Sequence, residues 1–447
     1  MSPKNTVITG LGVVSSIGMG RQDFFDALCA ETSGITSLAN RTDEGAKPGA
    51  VSKPDGLWIG GPIIDFDPKQ YVRPRKALKV MCREIQTAFA ASTLAIDDAG
   101  LTDAFPLTTE TDFQPADVGT VFGGEMYYGP PSEMEDAYLA CCDEDGVFSA
   151  AEFGSAAMKK VTPLWMLKYL PNMPACHVGI SIGAHGPNNS LVLGDVSGPA
   201  AMMEARSCLE RSIAKLMVTG SSGTRINTTR LNYRGDLPIP EVSDPVSFSS
   251  RPHDHGSVGV VGGEAAVSFV IESIDQAVAR KVKPIASIAS MVSRFVPSPG
   301  MYQAKRDISP SSSAGRGSVK AIELSIRDAI KQARIDADQI GAVISQACGD
   351  PSIDLAEEQA INKALPGVPV TAPVSSLGHT GAAVGSINVA VAALVIQHQQ
   401  IPPTIGHNVA NRNVNLVTET MSMDKPAVIA LSHTSEGSAI ATVLVSG

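Results

Sequence analysis

Short apolar runs rich in β-branched residues recur along the chain at Val7–Thr9, Val118–Phe122, Leu216–Thr219, Ala266–Ile271, Ala342–Ile344, Ala427–Leu431 and Ile440–Val445. Several are apolar at consecutive positions, so both faces of the strand would be covered. Between them, apolar residues recur at helical spacing. Ile322, Ile326, Ala329, Ile330 and Ala333 form one stripe, and Met202, Ala205, Leu209 and Ile213 form another. Asp354 with Glu357 three residues on reads as a capping box opening a helix over Leu355–Lys363. Strand alternating with helix predicts a layered α/β architecture. Three stretches break the pattern. Asn40 to Asp67 and Tyr127 to Ala157 read as insertions or lids, and Phe295 to Arg316 reads as a loop.

With 447 residues, 43% of them hydrophobic, the chain can bury a large core as one or two domains. A net charge of −10 argues against nucleic acid as a partner. Arg73, Arg75, Lys76 and Lys79 form a basic run against this background, either a solvated helix face or a docking site for an acidic carrier. Seven scattered cysteines show no metal spacing and suit reduced thiols in a cytoplasm. The N-terminus carries no signal-peptide pattern. The apolar run Val389–Ile396 is far too short to span a membrane.

The segment Gly186 to Gly198 carries the densest chemistry. An apolar strand, Ser190 to Leu193, turns at Gly194 and leads into an amphipathic helix starting near Pro199. Such strand–elbow–helix turns present a nucleophile at a helix N-terminus, where the dipole favours an anion. The residue presented is Asp195. It reads either as a helix N-cap or as a charged, non-acylating occupant of the nucleophile position.

Five segments, taken together, resemble the β-ketoacyl synthases of the thiolase superfamily. They are Val7-Ile8-Thr9-Gly10-Leu11-Gly12, the elbow itself, Leu216-Met217-Val218-Thr219-Gly220, Ser250-Arg251-Pro252-His253-Asp254 followed by Gly263-Glu264, and Ser376-Leu377-Gly378-His379 followed by Ile401-Pro402-Pro403-Thr404. The resemblance implies a five-layered α/β/α/β/α fold of two pseudo-symmetric halves, 1–275 with the elbow and 276–447. It also implies a dimer, acyl carrier protein as a partner, and no cofactor or metal.

The family's chemistry uses cysteine, histidine and histidine: a thiolate to take the acyl group and a pair of donors for the developing enolate. Asp195 aligns with the cysteine, Gln346 with the first histidine, and His379 with the second. The family's lysine becomes Val374, its glutamate is kept as Glu357, and Leu431-Ser432-His433-Thr434 replaces its Gly-Phe-Gly-Gly loop. Gln346 can donate a hydrogen bond but cannot titrate. Cys348 is the one thiol expected close to this centre, and Cys208 reads as core. His253 and His255 look like a metal cluster by spacing, but the resemblance implies a surface turn leading into a strand.

Two functions remain open from the sequence. One is a non-condensing partner, like the chain length factors that pair with an active ketosynthase. The other is an active acyltransferase, a 3-oxoacyl synthase on carrier-protein thioesters, using a residue such as Cys348.

Overall fold

A computed structural model describes residues 6–38, 57–109, 113–232, 237–300, 315–407 and 413–447. Ten strands carry the architecture. In the first half they are β1 (Thr6–Ser15), β2 (Val118–Gly124), β3 (Asn188–Val192), β4 (Leu216–Thr224) and β5 (Gly262–Ser273). In the second they are β6 (Ala286–Phe295), β7 (Ile340–Ile344), β8 (Pro369–Thr371), β9 (Ala427–His433) and β10 (Ser438–Val445). The first half is ordered β3-β2-β4-β5-β1 and the second β8-β7-β9-β10-β6, the same order five strands later. In each half three strands run parallel (β3, β2, β4 and β8, β7, β9) and two antiparallel strands follow. The halves join where Thr6–Ile8 of β1 pair antiparallel with Ala286–Ile288 of β6.

Three helices fill the same places in each half: α1 (Arg83–Asp98), α2 (Met173–Ile182) and α3 (Ser197–Glu210), then α4 (Val319–Ala333), α5 (Pro351–Ala364) and α6 (Val384–His398). α1 and α2 cover one outer face, α4 and α5 the other, while α3 and α6 touch each other between the two sheets. This is the expected α/β/α/β/α layering. α6 explains its own composition. Gly381–His398 is apolar and long enough to cross a membrane by composition, but 89% of it is buried inside the fold as the central layer.

Local details differ from the sequence reading. α5 starts at Pro351, and its cap is Asp350, which accepts from the N–H groups of Ser352 and Ile353. Asp354, the expected cap, instead accepts backbone N–H bonds from His253, Cys348 and Gly349. Pro351 supplies the reason: it fits the first helical turn, which moves the cap to the residue before it. Ile213, assigned to the α3 stripe, lies beyond the helix and is 49% exposed. Cys208 is core. Much of the expected insertion at Asn40 to Asp67 and most of the loop from Phe295 to Arg316 lie outside the described residues. The segment from Tyr127 onward holds short helical turns, tied down where Trp165 and Lys168 donate to Glu133 at 3.0 and 2.5 Å and Tyr169 donates to the same carboxylate.

Candidate active site

The chemistry collects at the carboxyl ends of the parallel strands. Glu125 follows β2, Asp195 follows β3 and Arg225 follows β4; Gln346 follows β7, His379 follows β8, and His433 ends β9. The two halves bring these two sets of three strand ends face to face. Open α/β sheets place ligand sites at this end because the strands stop there and the loops diverge.

At the elbow, Gly194 has φ +64°, a left-handed conformation suited to glycine. α3 begins at Ser197, two residues earlier than the sequence suggested. Ser197 Oγ accepts from the Leu193 N–H at 2.8 Å and donates to the Gly194 carbonyl at 2.6 Å. The helix start is held by this serine, and Asp195 makes no capping bond. The N-cap reading of Asp195 is therefore replaced. Its carboxylate turns into the site, with Oδ2 3.2 Å from His379 Nε2 and Oδ1 3.4 Å from Arg225 Nη2. The carbonyl of Asp195 accepts from Ser432 Oγ at 2.9 Å, which ties the elbow to β9.

Burial disfavours a charge on Asp195, but His379, then Arg225 and His433, outweigh it and hold the carboxyl below the ordinary aspartate range. Arg225 is itself anchored. Its Nη1 pairs with Glu125, whose carboxylate also takes Arg230 Nη2 at 3.0 Å. Two carboxylates and two guanidiniums thus form one network around the elbow. His379 is fully engaged: Nδ1 accepts from the Gly381 N–H at 3.2 Å, and Nε2 faces Asp195.

Gln346 is also occupied. Its Nε2 donates to the His433 carbonyl at 2.5 Å, and its Oε1 accepts from the His433 N–H at 3.0 Å. The amide closes on the backbone N–H and carbonyl of one residue of β9, like a rung of a ladder. His433 is buried, with Nε2 3.2 Å from Glu357 Oε2. That is ion-pair distance without hydrogen-bond alignment, and neither ring nitrogen has a hydrogen-bond partner among the described residues. Burial raises Glu357, but His433 and then His253 outweigh it and leave the carboxyl below its ordinary value.

Cys348 lines the same cavity as Asp195. Burial, followed by the nearby charges of Asp354 and Asp195, pushes its thiol well above the ordinary range. A thiol held protonated is a poor nucleophile. His253 corrects the surface-turn reading. It is buried, with Nε2 2.8 Å from Ser345 Oγ and Nδ1 3.2 Å from Glu358 Oε1, whereas His255 is exposed. Burial disfavours charged His253, but Glu358, Asp354 and Glu357 prevail and raise it. Asp354, in turn, is pushed by burial up to about 6, against His253 and its three backbone donors. Among the described residues, no group of three or more His, Cys, Asp or Glu side chains is placed to hold a metal ion.

Arg225, Glu125 and Arg230 were not singled out from the sequence as site residues, and His433 entered only as part of the loop Leu431–Thr434. A charged residue just after a buried strand is ordinary by itself. The available signal was that Glu125, Asp195 and Arg225 each follow one of three strands that turn out to be parallel neighbours.

A cavity of about 900 Å³ opens at this cluster, lined by Asp195, His379, Gln346, Cys348 and His433, with apolar walls from Leu191, Leu193, Val260 and Ile440. This is the size range of ligand sites.

A strand-end site between two copies of one topology, with a helix rising from a glycine elbow, defines a condensing-enzyme scaffold. The chain belongs to the β-ketoacyl synthase family: the model of the family's N-terminal domain matches residues 4–277 and that of its C-terminal domain residues 301–408. The chain is 25% identical over 415 residues to 3-oxoacyl-[acyl-carrier-protein] synthase 2 of Synechocystis sp., covering 91% of this chain and 88% of that protein. It is 26% identical over 424 residues to the tetracenomycin polyketide synthase ketoacyl synthase beta subunit of Streptomyces glaucescens, with coverages of 91% and 88%. Among solved structures, the ishigamide ketosynthase/chain length factor superposes with a TM-score of 0.79 at 20% identity, covering all of both chains. A β-ketoacyl synthase from Burkholderia phymatum gives 0.80 at 18% identity, covering 99% of this chain and all of that one.

Proposed function

We propose that this chain is a non-condensing subunit of fatty-acid or polyketide biosynthesis, acting in the cytoplasm as a chain-length-factor-like partner of an active ketosynthase. One observation carries the reading. The position that must present a nucleophile holds a carboxylate engaged by His379 at 3.2 Å and Arg225 at 3.4 Å. A carboxylate in that clamp is a poor acyl acceptor, and the histidine that should serve as a donor is spent on it. Gln346, the other donor position, is closed on the backbone N–H and carbonyl of His433. The likeness to a polyketide ketoacyl synthase beta subunit supports the same reading.

The proposed division of labour puts the elbow in residues 1–275 and the His379 arm in 276–447. Acyl carrier protein is the proposed source of the chain, and the exposed basic run Arg73, Arg75, Lys76 and Lys79 suits an acidic carrier.

A second reading, acyl transfer by Cys348, has one observation in its favour: the thiol lines the elbow cavity. Its raised pKa counts against it.

Intact-mass analysis after incubation with acyl carrier protein thioesters separates the two. No acyl adduct is expected on the wild-type chain, nor carrier-chain elongation by Asp195→Cys, because Gln346 and Val374 leave the donor set incomplete and such groups act as a unit. A stable adduct on Cys348, or elongation by Asp195→Cys at a tenth or more of a competent synthase's rate, would reverse the reading.

A further inference from the structure

One buried carboxylate gathers backbone donors from two loops at the wall of the elbow cavity. Asp354, in the first turn of α5, accepts from the Cys348 N–H at 2.7 Å through Oδ1. Its Oδ2 accepts from the N–H groups of Gly349 and His253, both at 3.0 Å. Cys348 and Gly349 belong to the turn from β7 into α5, and His253 to the loop before β5. Cys348 and Ile353, on either side of this junction, line the cavity. Asp354 therefore fixes one wall and ties the two halves of the chain together there. The loops are sharply bent where they meet it: His253 has φ +59° and Gly349 φ +92°, both left-handed. That conformation is strained at a histidine and persists only while its surroundings hold it.

The groups around Asp354 make this junction titratable. α5 itself carries Glu357 and Glu358, both buried. The loop before β5 brings the His253 ring, 3.2 Å from Glu358 Oε1 and 2.8 Å from Ser345 Oγ, flanked by Arg251 and Asp254, which pair with each other at 3.7 Å. The turn after β7 brings Cys348 and Asp350, the latter paired with Arg316. His433 of β9 faces Glu357, and Asp195 lines the same cavity. Burial is the largest influence on Asp354 and pushes it up to about 6, against His253 and the three backbone donors. His253 is raised above the ordinary histidine value, so it is charged before Asp354 takes up a proton as the pH falls.

We propose that Asp354 is a proton-operated clamp on the cavity wall: ionised, it holds residues 347–349 against the His253 loop, and protonated, it releases that turn and loosens the wall that carries Cys348. A neutral carboxyl keeps one acceptor of carbonyl type and turns its other oxygen into a hydroxyl, so the three N–H bonds lose their charge assistance. The strained His253 backbone loses one of its holds at the same step. The opening is local. A carboxyl with a raised folded pKa adds stability below its unfolded value and loses it as pH rises through the folded one. Acidification through about 6 therefore relieves a buried charge and does not begin acid unfolding. The clamp does not depend on whether the chain condenses.

Hydrogen–deuterium exchange of the full chain, read by mass spectrometry and corrected for the pH dependence of chemical exchange, tests it. Between about pH 7.5 and about pH 5 the protection of residues 346–350 is expected to fall about tenfold or more, while Leu216–Thr224 of β4 keeps its protection. Asp354→Asn keeps the shape and cannot ionise, so its turn should be weakly protected at both pH values. His253→Gln removes the neighbouring cation that opposes protonation of Asp354, so the fall should persist and move to higher pH. Three results would each overturn the assignment: protection in the wild type that is flat with pH, a fall of full size in Asp354→Asn, or no fall in His253→Gln. If Asp354→Asn fails to fold, the wild-type profile and His253→Gln still decide.

Discussion

Asp195 is stabilised by charge, and that makes its contribution depend on pH. Its partners His379 and Arg225 hold the carboxyl below the ordinary aspartate value despite burial. A carboxyl with a depressed folded pKa stabilises the fold fully above its unfolded pKa, about 3.9, and loses that contribution as pH falls through the folded value. Asp195→Asn keeps the shape and removes the charge. Urea unfolding of the variant should show a loss of about 1 kcal/mol at pH 7, the scale of a charge-assisted hydrogen bond in a partly exposed site. The gap to the wild type should then close as pH drops from about 5 toward 3. A gap independent of pH over that window would mean that Asp195 acts through packing and not through its charge. Arg225 should stay in place in the variant, because Glu125 still holds it.

At the scale of elements, the elbow depends on how closely α3 approaches the sheet. A Cβ on Gly123 of β2 would sit 2.4 Å from the Ser197 carbonyl carbon and 2.6 Å from the Gly198 N, both backbone atoms that cannot swing aside. Gly198 makes the matching approach on the helix, where a Cβ would fall 2.1 Å from Ser386 Oγ of α6. These contacts set the height of Asp195 over the cavity. Gly123→Ala should therefore cost about 1–3 kcal/mol in urea unfolding, the usual range for overpacking. Gly154→Ala, where a Cβ meets nothing within 4 Å, serves as the control and should stay within about 0.5 kcal/mol. Equal stability of both variants would show that the helix can lift off the sheet without penalty. The same closeness limits α6, whose apolar surface is spent on contacts with both sheets rather than on a bilayer.

Across the whole molecule, the repeated topology leaves β3 as the outermost strand of the first half. Its edge continues into Val192 and Leu193, 45% and 50% exposed, and Ile180 of α2 is 75% exposed. An edge with no strand partner among the described residues and with apolar neighbours favours association with another chain. Co-expression with a cysteine-bearing ketosynthase from the same organism should yield a stable one-to-one complex by size-exclusion chromatography with light scattering. An obligate interface of this kind should bury on the order of 2,000 Å² or more. A homodimer in isolation is compatible with this, since an exposed edge also pairs with itself. Separate homodimers with every candidate ketosynthase would count against the chain-length-factor reading.

The alternation of apolar runs and helical stripes was enough to determine the layered α/β class, because a strand buried on both faces and a helix buried on one leave different periods in the chain. The order of five short motifs pointed to the family, and Asp195, Gln346, His379 and Glu357 could each be aligned with a position of its centre. What each of them does was decided only in three dimensions. Asp354 and Glu357 have the spacing of a capping box, yet both serve the site while Asp350 caps the helix. His253 has the composition of a turn and lies buried against Glu358 and Ser345. Arg225 and Glu125, 100 residues apart in sequence, meet because β2 and β4 are parallel neighbours that end at the same level. Local patterns follow from bonds a few residues long. The charge clamp on Asp195 joins β3, β4 and the turn before α6, so it arises only when both halves have folded against each other.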